Sequence, residues 1–245
     1  MFSPPAGRPQ IILYDLACTK GVCFDPAVWR VRLALNYKRI PYRTIFLEFP
    51  DVRPTFYALG LVSSTEEAYE APAIHYLPSD EYLMGSSRII DFLEYKYAWP
   101  SLPAPSQSEA IRRIETQVRS YLDTIFELSI LPRIINILSP RSRTYHRHAA
   151  EKRYDFPIEE LLDDEEETHW RMLEGGMREI SGLLQAKKAV GPYVLGGHVS
   201  LTDFMIAGYM QSARTIDEAV YERIARFPGF AQIYDACAAF MEQKD

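Results

Sequence analysis

Near the start of the chain three side chains with reactive heads fall close together: Tyr14, Cys23 and Asp25. Asp25-Pro26 has the form of a helix N-cap followed by proline at the first helical position. A thiol two residues ahead of such a start can be held as thiolate by the helix terminus, which makes Cys23 a candidate nucleophile and Cys18 a weaker one. Free cysteines also serve as small buried hydrophobes. Tyr14 sits late in an apolar run and can donate its hydroxyl to a sulfur, or can simply pack. Asp25 has a capping role or a chemical one, and capping is the preference of its residue type at that position.

The rest of the composition narrows the classes of function. The chain has 245 residues, 47 % of them hydrophobic and 13 % aromatic, with a formal net charge of −6. That is enough apolar material for one or two ordinary domains. Net acidity argues against binding nucleic acid or an anionic membrane through bulk charge, so small molecules or proteins are the expected partners. Three cysteines, Cys18, Cys23 and Cys237, form no C-x-x-C pair and suit a reducing compartment. The five histidines show no metal-ligand spacing, so no metal site is expected. No apolar stretch approaches the roughly 20 residues of a membrane helix, and the proline-rich residues 1–9 read as a flexible leader without the apolar core of a signal peptide. A soluble, cytoplasmic protein is the expectation.

The elements that must position those side chains follow from local pattern. Gln10 to Asp15 is a short β-rich run, read as a buried strand. A helix from Asp25-Pro26 to about Lys38 follows, closed by Pro41, and Tyr42 to Phe49 alternates as a second strand, implying a parallel crossover. A short helix is expected near Val52 to Leu59. Pro72 to Leu77 and Glu81 to Met84 flank the turn Pro78-Ser79-Asp80 as an antiparallel hairpin, and Ser86 starts a helix to about Tyr97. Strand, helix, strand, helix, strand, strand, helix is a thioredoxin-like α/β layout over residues 10–98.

Residues 99–106 carry three prolines and read as a rigid linker. From residue 107 to 245 apolar residues recur at helical spacing, as at Ile111, Ile114, Val118, Leu122 and Ile125, so the second domain reads as an all-α helix bundle. Pro132 should kink or end its first long helix. Glu159 to Glu167, seven acids in nine residues, reads as a solvated helix start. Ser200 and Asp203 form the pattern of a reciprocal capping box, with Val199 and Phe204 as its hydrophobic staple.

Gly196-Gly197-His198-Val199-Ser200-Leu201-Thr202-Asp203-Phe204 resembles the segment that opens a core helix in the C-terminal domain of glutathione S-transferases. Ala71-Pro72-Ala73-Ile74 is similar to that family's loop-to-strand turn with a cis-proline, and Gly85-Ser86-Ser87-Arg88-Ile89-Ile90-Asp91-Phe92-Leu93-Glu94 to its third-helix start. The resemblance spans residues 10 to 240. Within the family, Trp29 to Lys38 with Ile40-Pro41-Tyr42 and Glu48 to Val52 resembles the fungal FuA and etherase-related proteins.

The resemblance implies glutathione as co-substrate, held by the backbone of Ala71 at cis-Pro72 and by Gly85, Ser86 and Ser87. Cys23 is the candidate to attack a glutathione adduct where the helix terminus stabilises its thiolate, against the alternative of an inert buried thiol; a second pocket for an aromatic compound is expected from Trp29, Tyr121 and Phe126, each of which helical spacing also assigns to core. Two positions depart from the family pattern: Gly85, where an acid usually holds the γ-glutamyl ammonium, and Asp25, where a serine or cysteine is usual. Ala27 replaces a frequent asparagine.

The implied activity is that of a glutathione transferase on hydrophobic aromatic compounds, by conjugation, ether cleavage or deglutathionylation, in a homodimer. A non-catalytic ligandin and a glutathione-independent enzyme that rearranges its own substrate are the alternatives.

Overall fold

The structure, a computed structural model, describes residues 8–62, 69–103, 109–162 and 166–242. Strand β1 (Ile11–Leu16) is wholly buried and lies between β2 (Tyr42–Leu47), parallel to it, and β3 (Ala73–Tyr76), antiparallel to it. The hairpin partner β4 (Glu81–Met84) completes the sheet order β2-β1-β3-β4. One mixed strand in the middle with a parallel crossover on one side and a hairpin on the other is the thioredoxin-like arrangement.

Helix α1 (Pro26–Tyr37) provides the crossover. Asp25 caps it, its Oδ1 accepting from the N–H groups of Ala27 at 2.8 Å and Val28 at 2.9 Å, while proline at the first position forfeits only an amide the helix cannot use. Helix α2 (Phe49–Ala58) starts earlier than the expected Val52, and β2 ends at Leu47 rather than Phe49. Pro50 in the first turn suits a helix and not a central strand, so the proline decides the boundary. Helix α3 (Ser86–Lys96) follows the hairpin.

The second half is helical. Helix α4 (Glu109–Ile125) passes into a π-helical turn at Phe126–Ile130 and a 3-10 stretch at Leu131–Ile137. Pro132 has no N–H for the carbonyl four residues back and its ring crowds that carbonyl, so regular helix stops before it. Helices α5 (Pro140–Tyr154), α6 (Glu166–Gln185), α7 (Leu201–Ile216), α8 (Glu218–Ala225) and α9 (Phe230–Cys237) follow. The acidic run opens α6 at Glu166, and residues 163–165 of it lie outside the described residues, as do 1–7 of the leader and 104–108 of the linker.

The capping box forms at the head of α7: the Ser200 N–H donates to Asp203 Oδ2 at 2.8 Å, and Asp203 Oδ1 also accepts from the Val194 N–H at 2.8 Å. Val199 and Phe204 are both buried beside it. Helix α7 packs along α1, and this contact joins the two halves into a continuous core. A buried polar network reinforces it, with Glu115 of α4 receiving Arg30 of α1 at 3.4 Å and the Thr202 hydroxyl of α7 at 2.9 Å. No described helix is long and apolar enough to cross a membrane.

Candidate functional site

The site is built where three short backbone features meet. Ala71–Pro72 is a cis peptide that leads into β3. The Gly85 N–H donates to the Pro72 carbonyl at 2.9 Å, which ties that turn to the head of α3. Among the described residues nothing bonds to the N–H or C=O of Ala71, a donor and an acceptor that a folded protein seldom leaves without partners. Gly85 holds φ +92° and supplies no capping side chain. The first amides of α3, at Ser86 and Ser87, are therefore open, and open amides at the positive end of a helix receive carboxylates.

The head of α1 supplies the other side. Asp25 is half-buried, with one carboxylate oxygen engaged by two amides and the second without a protein partner. Burial is the main force that pushes its carboxyl up to about 7; the amide bonds oppose the rise, and the nearby carboxylates of Asp15 and Glu70 add to it. Glu70 directly precedes Ala71, so the head of α1 lies near the proline turn.

Cys23 is 2 % exposed, its Sγ 3.7 Å from the Asp25 carbonyl. Burial, and then the negative charge of Asp15, push its thiol well above the ordinary range. That setting disfavours the thiolate that the nucleophilic role inferred from sequence requires, because the desolvated ion also faces a carboxylate. Tyr14 packs its ring edge-on against Phe56 of α2 at 5.8 Å, and burial followed by the influence of Tyr82 raises its hydroxyl pKa. Its ring thus packs on α2.

Of the aromatics expected to line a second pocket, one packs on α7. Phe126 meets Tyr209 of α7 edge-on at 6.1 Å, and the Tyr209 hydroxyl donates to Asp123. Burial and then the Asp123 carboxylate push the Tyr209 hydroxyl pKa up, and the charge of Asp25 adds the smallest part. Trp29 is 2 % exposed, with its indole N–H donating to the Cys23 carbonyl at 3.1 Å, and it is core. Tyr121 is turned to α6, where a Cβ added to Gly176 would fall 1.9 Å from its hydroxyl oxygen. Five residues separate Tyr121 from Phe126, about 140° around a helix, so they cannot share a face. Among the described residues no group of three or more His, Cys, Asp or Glu is placed to hold a metal.

Two family descriptions match this sequence: residues 21–103 match the N-terminal domain of glutathione S-transferases, and residues 114–240 match their C-terminal domain. The chain belongs to the glutathione S-transferase family. A glutathione S-transferase-like protein, ustS, of Aspergillus flavus is 25 % identical over 213 residues, covering 80 % of this chain and 76 % of that one. Glutathione transferase GSTFuA3 from Phanerochaete chrysosporium has the same fold, with a TM-score of 0.85 at 24 % identity, 97 % of this chain and 99 % of that one aligned. The glutathione S-transferase CsGST63524 of Ceriporiopsis subvermispora, solved in complex with glutathione, aligns with a TM-score of 0.84 at 21 % identity over 96 % of this chain and 99 % of its own.

Relative to this family frame, sequence reasoning missed two groups. Asp15 and Arg32, fully buried under the head of α1, pair through Arg32 Nε at 3.2 Å and Nη2 at 2.9 Å. Their signal was a charge at the end of a buried strand and another inside an apolar helix. Tyr209 gave less warning, since its spacing on α7 fits core as well as cleft.

Proposed function

We propose that this glutathione S-transferase binds glutathione between the heads of α3 and α1 and uses it in chemistry on hydrophobic aromatic compounds, by conjugation, ether cleavage or deglutathionylation. The observation that carries the reading is the bond from Gly85 to Pro72, which sets the unpaired backbone groups of Ala71 beside the open amides of Ser86 and Ser87. Together they offer a strand-like donor and acceptor for the cysteinyl unit and a carboxylate seat for the γ-glutamyl end. Glutathione, when bound, supplies the thiol. Gly85 brings no acid to the γ-glutamyl ammonium, and a missing charge-assisted contact of about 1.5–3 kcal/mol lowers affinity by roughly one to two decades.

Asp25 then acts on the proton. A carboxyl titrating near 7 is matched to proton transfer at neutral pH, so in conjugation and ether cleavage its free oxygen takes the thiol proton as the carbon–sulfur bond forms and returns it to the aromatic product or leaving group. In deglutathionylation it takes the proton of a second glutathione thiol as the disulfide forms, the adduct's carbon–sulfur bond breaks and the proton passes to the released carbon. Phe126 and Tyr209 present the apolar wall against which the aromatic co-substrate lies. Cys23 supports this geometry through its carbonyl, which receives the Trp29 indole. The active unit is a homodimer, as the family resemblance implies.

The carboxylates of Asp15 and Glu70 around Asp25 also support a second reading, a ligandin that binds aromatic compounds without turnover, since they oppose a thiolate in the cleft.

Conjugation, aryl-ether cleavage and adduct-reduction assays on wild type, Cys23→Ser and Asp25→Asn separate the two. The enzyme reading expects turnover in wild type and in Cys23→Ser, with a loss of about tenfold or more in Asp25→Asn and a flattened pH profile near 7. Tight aromatic binding with no turnover in any assay would favour the ligandin.

A further inference from the structure

Helices α6 and α8 flank an open groove of about 630 Å³ that shares no residue with the site at the heads of α1 and α3. Its volume falls in the range of small-molecule sites, about 300–1,000 Å³. On α6, Glu167, Trp170, Glu174 and Arg178 line it at helical spacing; Arg223 closes it from α8, and Arg226 and Phe227 from the turn that follows. The floor is a fixed stack. Trp170 is 3 % exposed and donates its indole N–H to the Ser129 hydroxyl at 3.0 Å, and the Arg223 guanidinium lies 4.5 Å over its ring. Two bonds of 2.8 Å to Glu167 hold that guanidinium in plane, so one face rests on the indole and its side chain stays partly exposed.

The charge of the groove runs against that of the whole chain. Three arginines, Arg178, Arg223 and Arg226, meet two acids, Glu167 and Glu174, whereas the chain carries a net −6. Arg226 is exposed and, among the described residues, has no acidic partner. Arg178 holds only Glu174, at 3.0 Å on the open surface, and exposed pairs one helical turn apart bind weakly enough to be exchanged for a better acceptor. Guanidinium planes stack on aromatic rings and fork onto carboxylates, and the half-buried Phe227 adds an apolar side wall.

We propose that this groove is a second ligand site, for a planar aromatic carboxylate whose ring lies on the outer face of Arg223 and whose charge is met by Arg226 and Arg178. Such a ligand leaves the cleft free, so the two sites fill independently.

The test is calorimetric titration of the full chain with 2-naphthoate and with its uncharged isostere 2-naphthamide, on wild type and on the Arg178→Glu/Arg226→Glu double variant, with and without glutathione. The proposal expects one naphthoate per chain, and binding about tenfold weaker or worse both for the amide and for the double variant. It also expects naphthoate affinity to fall with added salt and to be unaffected by glutathione. Unfolding temperature and glutathione affinity of the variant should match wild type, because both arginines are surface groups. Equal naphthoate affinity in wild type and variant, equal affinity for the amide, or displacement of naphthoate by glutathione would each overturn it.

Discussion

Helices α1 and α3 both begin beside the same cleft, yet their first turns are finished in opposite ways. The head of α1 is closed from within: Asp25 occupies the amides of Ala27 and Val28, and the Asp15–Arg32 pair lies buried beneath. The head of α3 is left open, with glycine at the cap position and no side chain on its amides. A helix start that supplies its own carboxylate has no room for a ligand's; one that withholds it is a seat for an anion. The contrast supports the proposed division, with binding at α3 and proton handling at α1.

The largest expected effect lies on the closed side. Arg32→Met strands the Asp15 carboxylate in the core, and breaking a buried pair in this way costs about 3–5 kcal/mol. Urea unfolding should show that loss. A change under about 1 kcal/mol would mean that the pair does not hold the head of α1, and the contrast with α3 would lose its physical basis.

Gly85→Glu tests the open side. The added acid can meet the γ-glutamyl ammonium, so glutathione affinity should rise by about tenfold or more. A non-glycine residue held at φ +92° should at the same time cost roughly 1–3 kcal/mol of stability. Nothing lies within 4 Å of a Cβ there, so the cost is backbone strain and not collision. Weaker glutathione binding in this variant would place the ammonium elsewhere.

A smaller effect should appear in the pH dependence of stability. The folded protein raises the Asp25 carboxyl from its ordinary value to about 7, so it binds that proton more tightly than the unfolded chain does. The stability gained is full below the ordinary carboxylate range and is lost as pH rises toward 7. Asp25→Asn keeps an acceptor for the amides of Ala27 and Val28 and removes the titration, so its stability should fall less than that of wild type across this interval. Parallel curves would show that Asp25 ionises normally.

How much of this was legible in the sequence depended on the range of each signal. Asp25-Pro26, the hairpin, Pro132 and the Ser200–Asp203 box are local devices whose partners lie within a few residues, and each appears in the fold where its pattern put it. The start of α2 was displaced only because Pro50 outweighed the alternation that precedes it.

Side-chain direction was harder. Trp29, Tyr121 and Phe126 carry the same aromatic signal, yet Trp29 is core, Tyr121 turns to α6 and Phe126 packs on Tyr209 of α7, where the helix has loosened into its π-helical turn. Cys23 stood at the right distance from a helix start, but burial first and the charge of Asp15 second push its thiol up, with Arg32 opposing, and these surroundings come from elsewhere in the fold. Long-range electrostatics of this kind leave no mark in local spacing.

The central claim is that the uncapped head of α3 and the unpaired backbone of Ala71 hold glutathione. Isothermal titration of the purified protein with reduced glutathione tests it most directly. The account predicts one site per chain with a dissociation constant in the high-micromolar to low-millimolar range, weakened by the missing acid at position 85. No heat of binding with ligand at about 10 mM would contradict it and remove glutathione from the chemistry of this cleft.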